Sequence, residues 1–441
     1  MTVDVAVVGA GPAGLATAYA LDRAGCSVRV FEAAAAVGGR TRPLRARGCL
    51  IDSGAEMLPS AAGYPATWRL IEAVGLDAAA VPKVRDAVGV WRDGRVHPHV
   101  GRPLGLLTGA GLPPRARLDL VRLLIRLARR PDPGATVADL VGKYHPDLRE
   151  FLVEPLVAGF FGWHADRSAA AVFAEHLTTA GSTSTWHTYR DGMDTLARAL
   201  AVRLDVVTGH EVTGVVTCPG GVRLESPRGG VSARAAVLAV PAPVAARLHP
   251  GTPPAERAYL EACTYAPMLR LSLVLDRPAA PGPRGFATLV PAAEDPVINV
   301  ITADHRKHPG RAPEGAGLIS LVTSPRGTAE LIGESDEKVA DLLVGRAERF
   351  VPGLACRVAR YHVHRFTYGL PEATPRALAL RPAFEERASS AVDYAGDWVA
   401  LRPCSEGAVA SAERAAARVL AHLSKTHRAW SGTDGLLHPT P

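Results

Sequence analysis

The chain has 441 residues, 47% of them hydrophobic, and a formal net charge of +7. This length predicts two domains, or one domain with large insertions, and the composition excludes a disordered chain. All but five of the fifty basic residues are arginine, yet they form no basic run or aromatic-interleaved stripe, so no nucleic-acid partner is predicted. The six cysteines and the histidines lack disulfide or metal-ligand spacing. We therefore predict no metal and a reducing, cytoplasmic location, without signal peptide or membrane span.

The first 32 residues predict a strand, a glycine turn, a helix and a second strand. Gly9, Gly11 and Gly14 form the pattern G-x-G-x-x-G, and Pro12 suits the first turn of the helix. In such a motif the first glycine permits a tight turn, the second lets the backbone approach a diphosphate, and the third allows close helix–sheet packing. Glu32 ends the second strand, where a carboxylate can bind ribose hydroxyls. The motif predicts dinucleotide binding.

A second glycine loop follows, with Gly38, Gly39 and Arg40 in the segment VGGRTR. Together with the first loop and the acid, it resembles the superfamily of flavin-containing amine oxidases, protoporphyrinogen oxidases and phytoene desaturases. The resemblance implies FAD as the cofactor. It also implies an α/β fold: a discontinuous Rossmann-like FAD-binding domain (glutathione-reductase-like, GR2 type) with an inserted substrate-binding β-sheet and a helical subdomain.

The resemblance spans nearly the whole chain and assigns roles residue by residue. It implies that Gly54 to Met57 border the isoalloxazine, that Val212 lies against the adenine, and that Asp397 binds near the diphosphate and ribityl chain. The start of the C-terminal helix points its amides at the flavin. The implied cofactor-binding residues are Gly9, Gly11, Pro12, Ala13, Gly14, Glu32, Ala33, Gly38, Gly39, Arg40, Gly54, Ala55, Glu56, Met57, Val212, Gly396, Asp397, Gly407, Ala408 and Val409.

We expect four parts along the chain. Residues 1–75, 193–260 and 386–424 form the FAD-binding domain, and residues 76–192 form a hairpin plus a helical insert. Residues 261–385 form a substrate-binding mixed sheet, and residues 425–441 form a flexible tail. Asp93 and Gly94 are predicted to be the two-residue turn of the hairpin.

The segment RARLDLVRLLIRLARR in the insert predicts an amphipathic helix. Its arginines at 115, 122, 126, 129 and 130 share about a third of the helical circle, and Leu118, Leu120, Val121, Leu124 and Ile125 occupy the rest. One interpretation is a surface helix that packs on its own domain. The other is peripheral contact with an anionic membrane, which would make the protein membrane-associated.

Candidates for substrate contact are few. Arg270 lies at the position where amine oxidases of the superfamily that this chain resembles have a lysine near flavin N5. An arginine stays protonated, so it cannot act as a base, but it can hold a substrate carboxylate; the alternative is an arginine on an exposed strand face. Tyr368 and Trp398 complete the predicted catalytic set, and Trp163, Trp186 and Tyr265 are further aromatic candidates that could equally be packing residues.

The resemblance implies an FAD-dependent oxidase or dehydrogenase that transfers a hydride from a substrate C–H bond to flavin N5, forming C=C or C=N. The expected substrate is a bulky, partly apolar small molecule of tetrapyrrole, isoprenoid or natural-product type, and O₂ or another acceptor takes the electrons. One alternative is an amine or amino-acid oxidase. Another, of a different class, is a non-catalytic binding protein like the Rab GDP-dissociation inhibitors, which share this fold.

Overall fold

The computed structural model describes residues 3–84, 88–129 and 131–433. Its strands are β1 (Val3–Val8), β2 (Val28–Phe31), β3 (Pro43–Ala46), β4 (Cys49–Asp52), β5 (Val88–Arg92), β6 (Arg95–Val100), β7 (Asp205–Val207), β8 (Gly214–Cys218), β9 (Gly221–Glu225), β10 (Val231–Leu238), β11 (Tyr265–Leu275), β12 (Ala287–Leu289), β13 (Ile298–Ala303), β14 (Gly317–Thr323), β15 (Val358–Pro371) and β16 (Val392–Tyr394).

The helices are α1 (Pro12–Arg23), α2 (Pro65–Ala73), α3 (Pro103–Thr108), α4 (Pro114–Leu127), α5 (Val137–Val141), α6 (Pro146–Leu148), α7 (Glu154–Phe161), α8 (Ala170–Ala180), α9 (Thr195–Ala201), α10 (Ala242–Leu248), α11 (Pro254–Ala262), α12 (Asp304–Lys307), α13 (Pro325–Leu331), α14 (Asp336–Ala347), α15 (Pro375–Glu385) and α16 (Ser405–Thr433). None of them, within the residues described, is long and apolar enough to cross a membrane.

Contacts divide the chain into two compact units. Unit 1 comprises Met1–Gly39, Leu196–Cys263 and Leu380–Pro441, and unit 2 comprises Arg40–Thr195 and Thr264–Ala379. Unit 1 is built on a sheet in which β1 lies between β2 and β10, all parallel, with β7 beyond β2 and β16 pairing in parallel with the end of β10. The central strands are buried, as their β-branched and alanine-rich sequences predict for a parallel sheet.

Unit 2 is built on a seven-stranded sheet in the order β15-β11-β14-β13-β12-β5-β6. The β5–β6 hairpin has the predicted turn, with left-handed φ of 51° at Asp93 and 75° at Gly94. Its strand β5 pairs in parallel with β12, with Val88 opposite Ala287. The predicted division between residues 76–192 and residues 261–385 therefore does not appear, because backbone hydrogen bonds join the hairpin to the large sheet.

The first predicted segment, 1–75, also divides differently. Residues from Arg40 onward belong to unit 2. The physical reason is β4: Cys49 and Ile51 pack against Val274 and Leu318 of the large sheet, and Asp52 is ion-paired within the same unit.

The amphipathic helix that was predicted in the insert is present as α4, but its buried face is narrow. Ala116, Leu123 and Leu127 are buried. Four of the five apolar residues named in the sequence analysis are exposed: Leu118 by 53%, Val121 by 46%, Leu124 by 42% and Ile125 by 55%. Arg130 lies outside the described residues.

Candidate functional site

The three glycines of the first loop have different surroundings. A Cβ added to Gly9, whose φ is +102°, would lie 2.6 Å from the carbonyl oxygen of Ala239, and one added to Gly14 would lie 1.9 Å from the carbonyl oxygen of Gly9. Both contacts are too close, so the fold itself requires glycine at these two positions. A Cβ on Gly11 would meet no atom within 4 Å. Gly11 instead borders open space at the N-terminus of α1, where helix amides and the helix dipole favour an anion.

Glu32 holds this loop in place. Its carboxylate accepts hydrogen bonds from the backbone amides of Ala10, at 2.7 Å, and Ala34, at 2.9 Å. A carboxylate has about four acceptor positions, so two bonds leave capacity for ribose hydroxyls. Ala33, which lies between Glu32 and Ala34 in sequence, is exposed.

The second glycine loop lies directly beside the first. The amide of Gly38 donates to the carbonyl of Ala10 at 2.8 Å, and a Cβ on Gly39 would lie 3.4 Å from Cα of Gly11. The φ angles of Gly38 and Gly39 are +111° and +51°, a left-handed backbone that favours glycine. The structure thus brings the two predicted loops together.

The C-terminal group of predicted cofactor-binding residues begins just after β16, in unit 1. The hydroxyl of Ser411 accepts a hydrogen bond from the amide of Gly396 at 2.9 Å, which fixes the turn that carries the buried Asp397. A Cβ on Gly407, in the first turn of α16, would lie 2.1 Å from the carbonyl oxygen of Arg402. Ala408, Val409 and Val212 are also buried. Sequence reasoning did not identify the role of Ser411, because the Gly396 amide is its partner only through the fold.

In unit 2, Arg40 lies beside the segment from Gly54 to Met57. The amide of Ala55 donates to the carbonyl of Arg40 at 3.3 Å, and a Cβ on Gly54 would lie 2.3 Å from that oxygen. The Arg40 guanidinium donates to the carbonyl of Gly369 at 2.8 Å. These contacts order the segment that includes Glu56.

Arg270 is 5% exposed, so the expectation of an exposed strand face is wrong. Its guanidinium forms ion pairs with Glu56 and, at 3.1 Å, with Asp304. Ser320 donates a hydrogen bond to the same Asp304 carboxylate at 2.8 Å. Glu56 and Asp304 therefore engage the two terminal nitrogens of the guanidinium, whereas its Nε is buried and has no hydrogen-bond partner among the described residues.

The ion pairs continue into a wider network. Lys307 lies 2.7 Å from the carboxylate of Asp52 and 3.8 Å from that of Glu56, and Arg311 lies 2.8 Å from Asp52. The amide of Met193 donates to Asp52 at 3.1 Å. We call these six charged residues the unit 2 charge network: Asp52, Glu56, Arg270, Asp304, Lys307 and Arg311. Three cations face three anions, so the network is neutral overall.

His364 lies opposite Arg270 on the neighbouring strand β15. Burial lowers the pKa of His364 to about 4, and the positive charge of Arg270 and the neighbouring His362 add to the shift, while Asp336 opposes it. The imidazole is therefore neutral at neutral pH. Burial raises the pKa of Asp304, but the positive charges of Arg270 and Lys307 outweigh this effect and hold that pKa below its usual value.

The aromatic candidates divide into core and partly exposed residues. Trp398 is 1% exposed, donates to the carbonyl of Val240 at 3.0 Å, and packs among Tyr259, Phe384 and Tyr394. A side chain so enclosed cannot touch a substrate, so its predicted catalytic role is wrong. The reason is that the rings of Tyr259, Phe384 and Tyr394 pack against it in the core of unit 1.

Tyr368 and Tyr265 form an edge-to-face pair in unit 2, with ring centroids 5.6 Å apart, and both remain partly exposed. By contrast, Trp163 and Trp186 are buried and donate to the carbonyls of Pro371 and Ala180. Of the aromatic set, the tyrosine pair alone keeps an accessible surface.

The residues present fit FAD. Two glycines are required by packing, whereas Gly11 leaves its surroundings open, which is the arrangement that a diphosphate needs at a helix N-terminus. The second loop and the Glu32 carboxylate both form hydrogen bonds with the backbone of Ala10, next to Gly11, and a second helix, α16, begins in the same unit.

Comparisons with known proteins agree with this arrangement. The chain is 29% identical to a mitochondrial protoporphyrinogen oxidase of Nicotiana tabacum over 169 residues, which cover 37% of this chain and 33% of the tobacco enzyme. It is 28% identical to a hydroxysqualene dehydroxylase of Rhodopseudomonas palustris over 96% of this chain and 99% of the relative. The solved structure of cyclohexylamine oxidase from Brevibacterium oxydans matches with a TM-score of 0.76 at 19% identity, over 96% of this chain and 100% of that one.

A family model described as flavin containing amine oxidoreductase matches residues 12–420. The predicted superfamily, the α/β fold class, the FAD cofactor and the class of FAD-dependent oxidoreductase are thereby confirmed. The chain belongs to the flavin-containing amine oxidoreductase family.

Proposed function

We propose that this chain is an FAD-dependent oxidase or dehydrogenase that takes a hydride from a substrate C–H bond and leaves a C=C or C=N bond. The observation that carries the proposal is the open space at Gly11, bordered by the N-terminus of α1 and the second glycine loop. Bound FAD would supply the two-electron acceptor at the flavin ring. Electrons then pass to O₂ or another acceptor.

The residues of unit 1 divide the work of holding the cofactor. The free amides at the start of α1 receive the diphosphate, and Gly39 allows the second loop to approach closely. Glu32 keeps acceptor positions for the ribose. Asp397 and the start of α16 take the roles that the resemblance assigns to them, near the diphosphate and the flavin.

The substrate that we propose is a bulky, partly apolar molecule. The relative aligned over nearly its whole length is named for hydroxysqualene, and another is named for protoporphyrinogen. The second candidate is an amine or amino acid, which the family description favours. An amino acid is the weaker choice at Arg270, because Glu56 and Asp304 already pair with both terminal nitrogens, so paired bonds to a substrate carboxylate would compete with them.

The first test is a matched pair of glycine variants. Gly11→Ala adds a methyl group that meets no protein atom, so the fold should keep its thermal midpoint without cofactor. FAD affinity, measured by fluorescence titration of the apoprotein, should fall about tenfold or more. Gly345→Ala, which also meets no atom within 4 Å, is the control and should bind FAD like the wild type. A colourless wild type that takes up no FAD, or a Gly11→Ala protein of unchanged affinity, contradicts the proposal.

The second test identifies the substrate class. The yellow protein is mixed without oxygen with porphyrinogens, isoprenoid intermediates and amines, and flavin absorbance is followed. Bleaching by a member of the first two classes supports the bulky, partly apolar substrate. Bleaching by amines alone selects the second candidate.

Peripheral contact with an anionic membrane surface is the remaining part of the proposal. Leu118, Val121 and Ile125 project from α4 away from its buried face, and Arg122 and Arg126 lie beside them on the helical circle. Exposed aliphatic residues next to arginines suit an interface of acyl chains and anionic headgroups. Such contact would deliver a lipophilic substrate.

A further inference from the structure

A basic cleft of ≈ 420 Å³ lies on the surface of unit 2. The turn between β3 and β4 forms one wall, Arg190 and Asp191 form another, and Pro309 and Gly310 form the third. Its volume falls in the range of small-molecule pockets, about 300 to 1,000 Å³. Neither the cofactor residues nor the unit 2 charge network line it.

Three arginines, Arg45, Arg47 and Arg190, line this cleft, against one acidic residue, Asp191. Within the described part of the chain, none of the three forms an ion pair with a carboxylate. One nitrogen of Arg45 donates to the backbone carbonyl of Asp191 at 2.8 Å, and one of Arg190 donates to that of Ala79. These bonds hold two guanidinium groups in place while their charges remain uncompensated.

Arg47 occupies an unusual backbone position. Its φ is +49° and that of Gly48 is +75°, the left-handed pair of a tight hairpin turn. Asparagine or aspartate is the usual residue in the first of these positions, and a long side chain there costs free energy. The turn accepts that cost and thereby places a third cation on the wall of the cleft.

The wall behind the arginines is firmly held. Cys49 and Leu50 are buried, and the amide of Leu50 donates to the carbonyl of Arg311 at 3.0 Å, next to Gly310 in sequence. The hairpin and the 309–311 segment are therefore tied together. The arginines project from a fixed scaffold, which lowers the entropy lost on binding.

We propose that this cleft binds a multiply charged oxyanion, a small molecule that carries phosphate or carboxylate groups. Guanidinium groups bind both by paired, charge-assisted hydrogen bonds, and three of them exceed the single acid present. Because arginine stays charged, the three guanidinium groups keep their charge as pH changes, whereas the anion and His308, which interacts with Arg190 and Asp191 beside the cleft, can titrate. The site is additional to the oxidase function and does not depend on it.

The test is calorimetric titration of the FAD-loaded protein at constant ionic strength, with pyrophosphate and citrate as probes. Loading with FAD keeps pyrophosphate out of the cofactor's own diphosphate site. Saturable one-site binding is expected for at least one probe, and the tighter probe distinguishes a phosphate from a carboxylate ligand. Arg47→Asn removes the charge and keeps a residue that tolerates the left-handed turn, so affinity should fall about tenfold while the thermal midpoint holds.

Arg360→Asn is the matched control, because Arg360 is exposed on β15 and does not line the cleft. It makes the same change in net charge and should leave the affinity unchanged. Arg47→Lys should bind with intermediate affinity, since an ammonium keeps the charge but cannot form the paired bonds. Absence of saturable binding by either probe, or an equal loss in Arg47→Asn and Arg360→Asn, overturns the proposal.

Discussion

His364 illustrates how burial next to a fixed charge determines the state of one residue. Its partner across the strands is Arg270, whose charge is held in place by Glu56 and Asp304. The imidazole pKa is lowered to about 4, against about 6.5 for a free histidine. Between these two values the unfolded chain binds more protons than the folded one, so stability falls as pH decreases from 6.5 to 4.

Replacing this histidine should therefore flatten the acid side of the stability curve. Between pH 6.5 and pH 4, the free energy of unfolding of His364→Gln should fall by about 2 kcal/mol less than that of the wild type. Urea unfolding at several pH values measures this difference. His164→Gln is the control, because His164 is exposed, and its curve should follow the wild type. An unchanged slope in His364→Gln would show that His364 is protonated in the folded protein.

At the scale of an element, the packing around helix α4 decides which of its apolar faces is buried. Its sequence has two apolar arcs, and the fold covers the arc of Ala116, Leu123 and Leu127. The arc that contains Leu118, Val121 and Ile125 remains in contact with water. Asp119 pairs with Arg122 at 2.9 Å and accepts from the amide of His145, which fixes the orientation of the helix.

We expect the exposed arc to mediate vesicle binding. The wild type should co-sediment with vesicles that contain phosphatidylglycerol, and less so at high salt, because screening weakens attraction to anionic headgroups. The double variant Leu118→Ser/Ile125→Ser should lose most of this binding without loss of stability, since both side chains are already exposed. Leu342→Ser, at an exposed leucine of α14, is the control. Equal binding by the wild type and the double variant would contradict membrane contact through α4.

At the scale of the whole molecule, long-range ion pairs hold unit 2 together. Asp52 at the end of β4 joins Lys307 of α12, Arg311 beyond it and the amide of Met193. These partners lie more than a hundred positions from Asp52, and the charged side chains are nearly inaccessible to water. Removal of one charge from such a network leaves its partners buried and uncompensated, which costs more than the loss of a surface pair.

Asp52→Asn should destabilise the protein by about 3 kcal/mol or more, measured as the shift in the urea midpoint. Asp205→Asn breaks the exposed pair with Arg29 and should cost at most about 1 kcal/mol. Both variants remove one negative charge, so net charge cannot explain a difference. Equal midpoints in the two proteins would show that the buried network adds no stability beyond that of a surface ion pair.

Features that depend on near neighbours in sequence were predicted correctly. The Asp93–Gly94 turn requires two left-handed residues, and both residues have left-handed φ angles. The glycine turn and the helix that starts at Pro12 are also determined by residues that are close in sequence. In each, the residues that determine the conformation lie within a few positions of it.

The tertiary structure alone decided the partners of buried groups. Arg270 meets Glu56, which lies 214 positions away, and is buried instead of lying on an exposed strand face. The hairpin joins the large sheet through β12, and Trp398 is enclosed by aromatic rings. Periodicity identifies an apolar or charged face, but the residue that covers it comes from a distant segment, and burial and ion pairing depend on that segment.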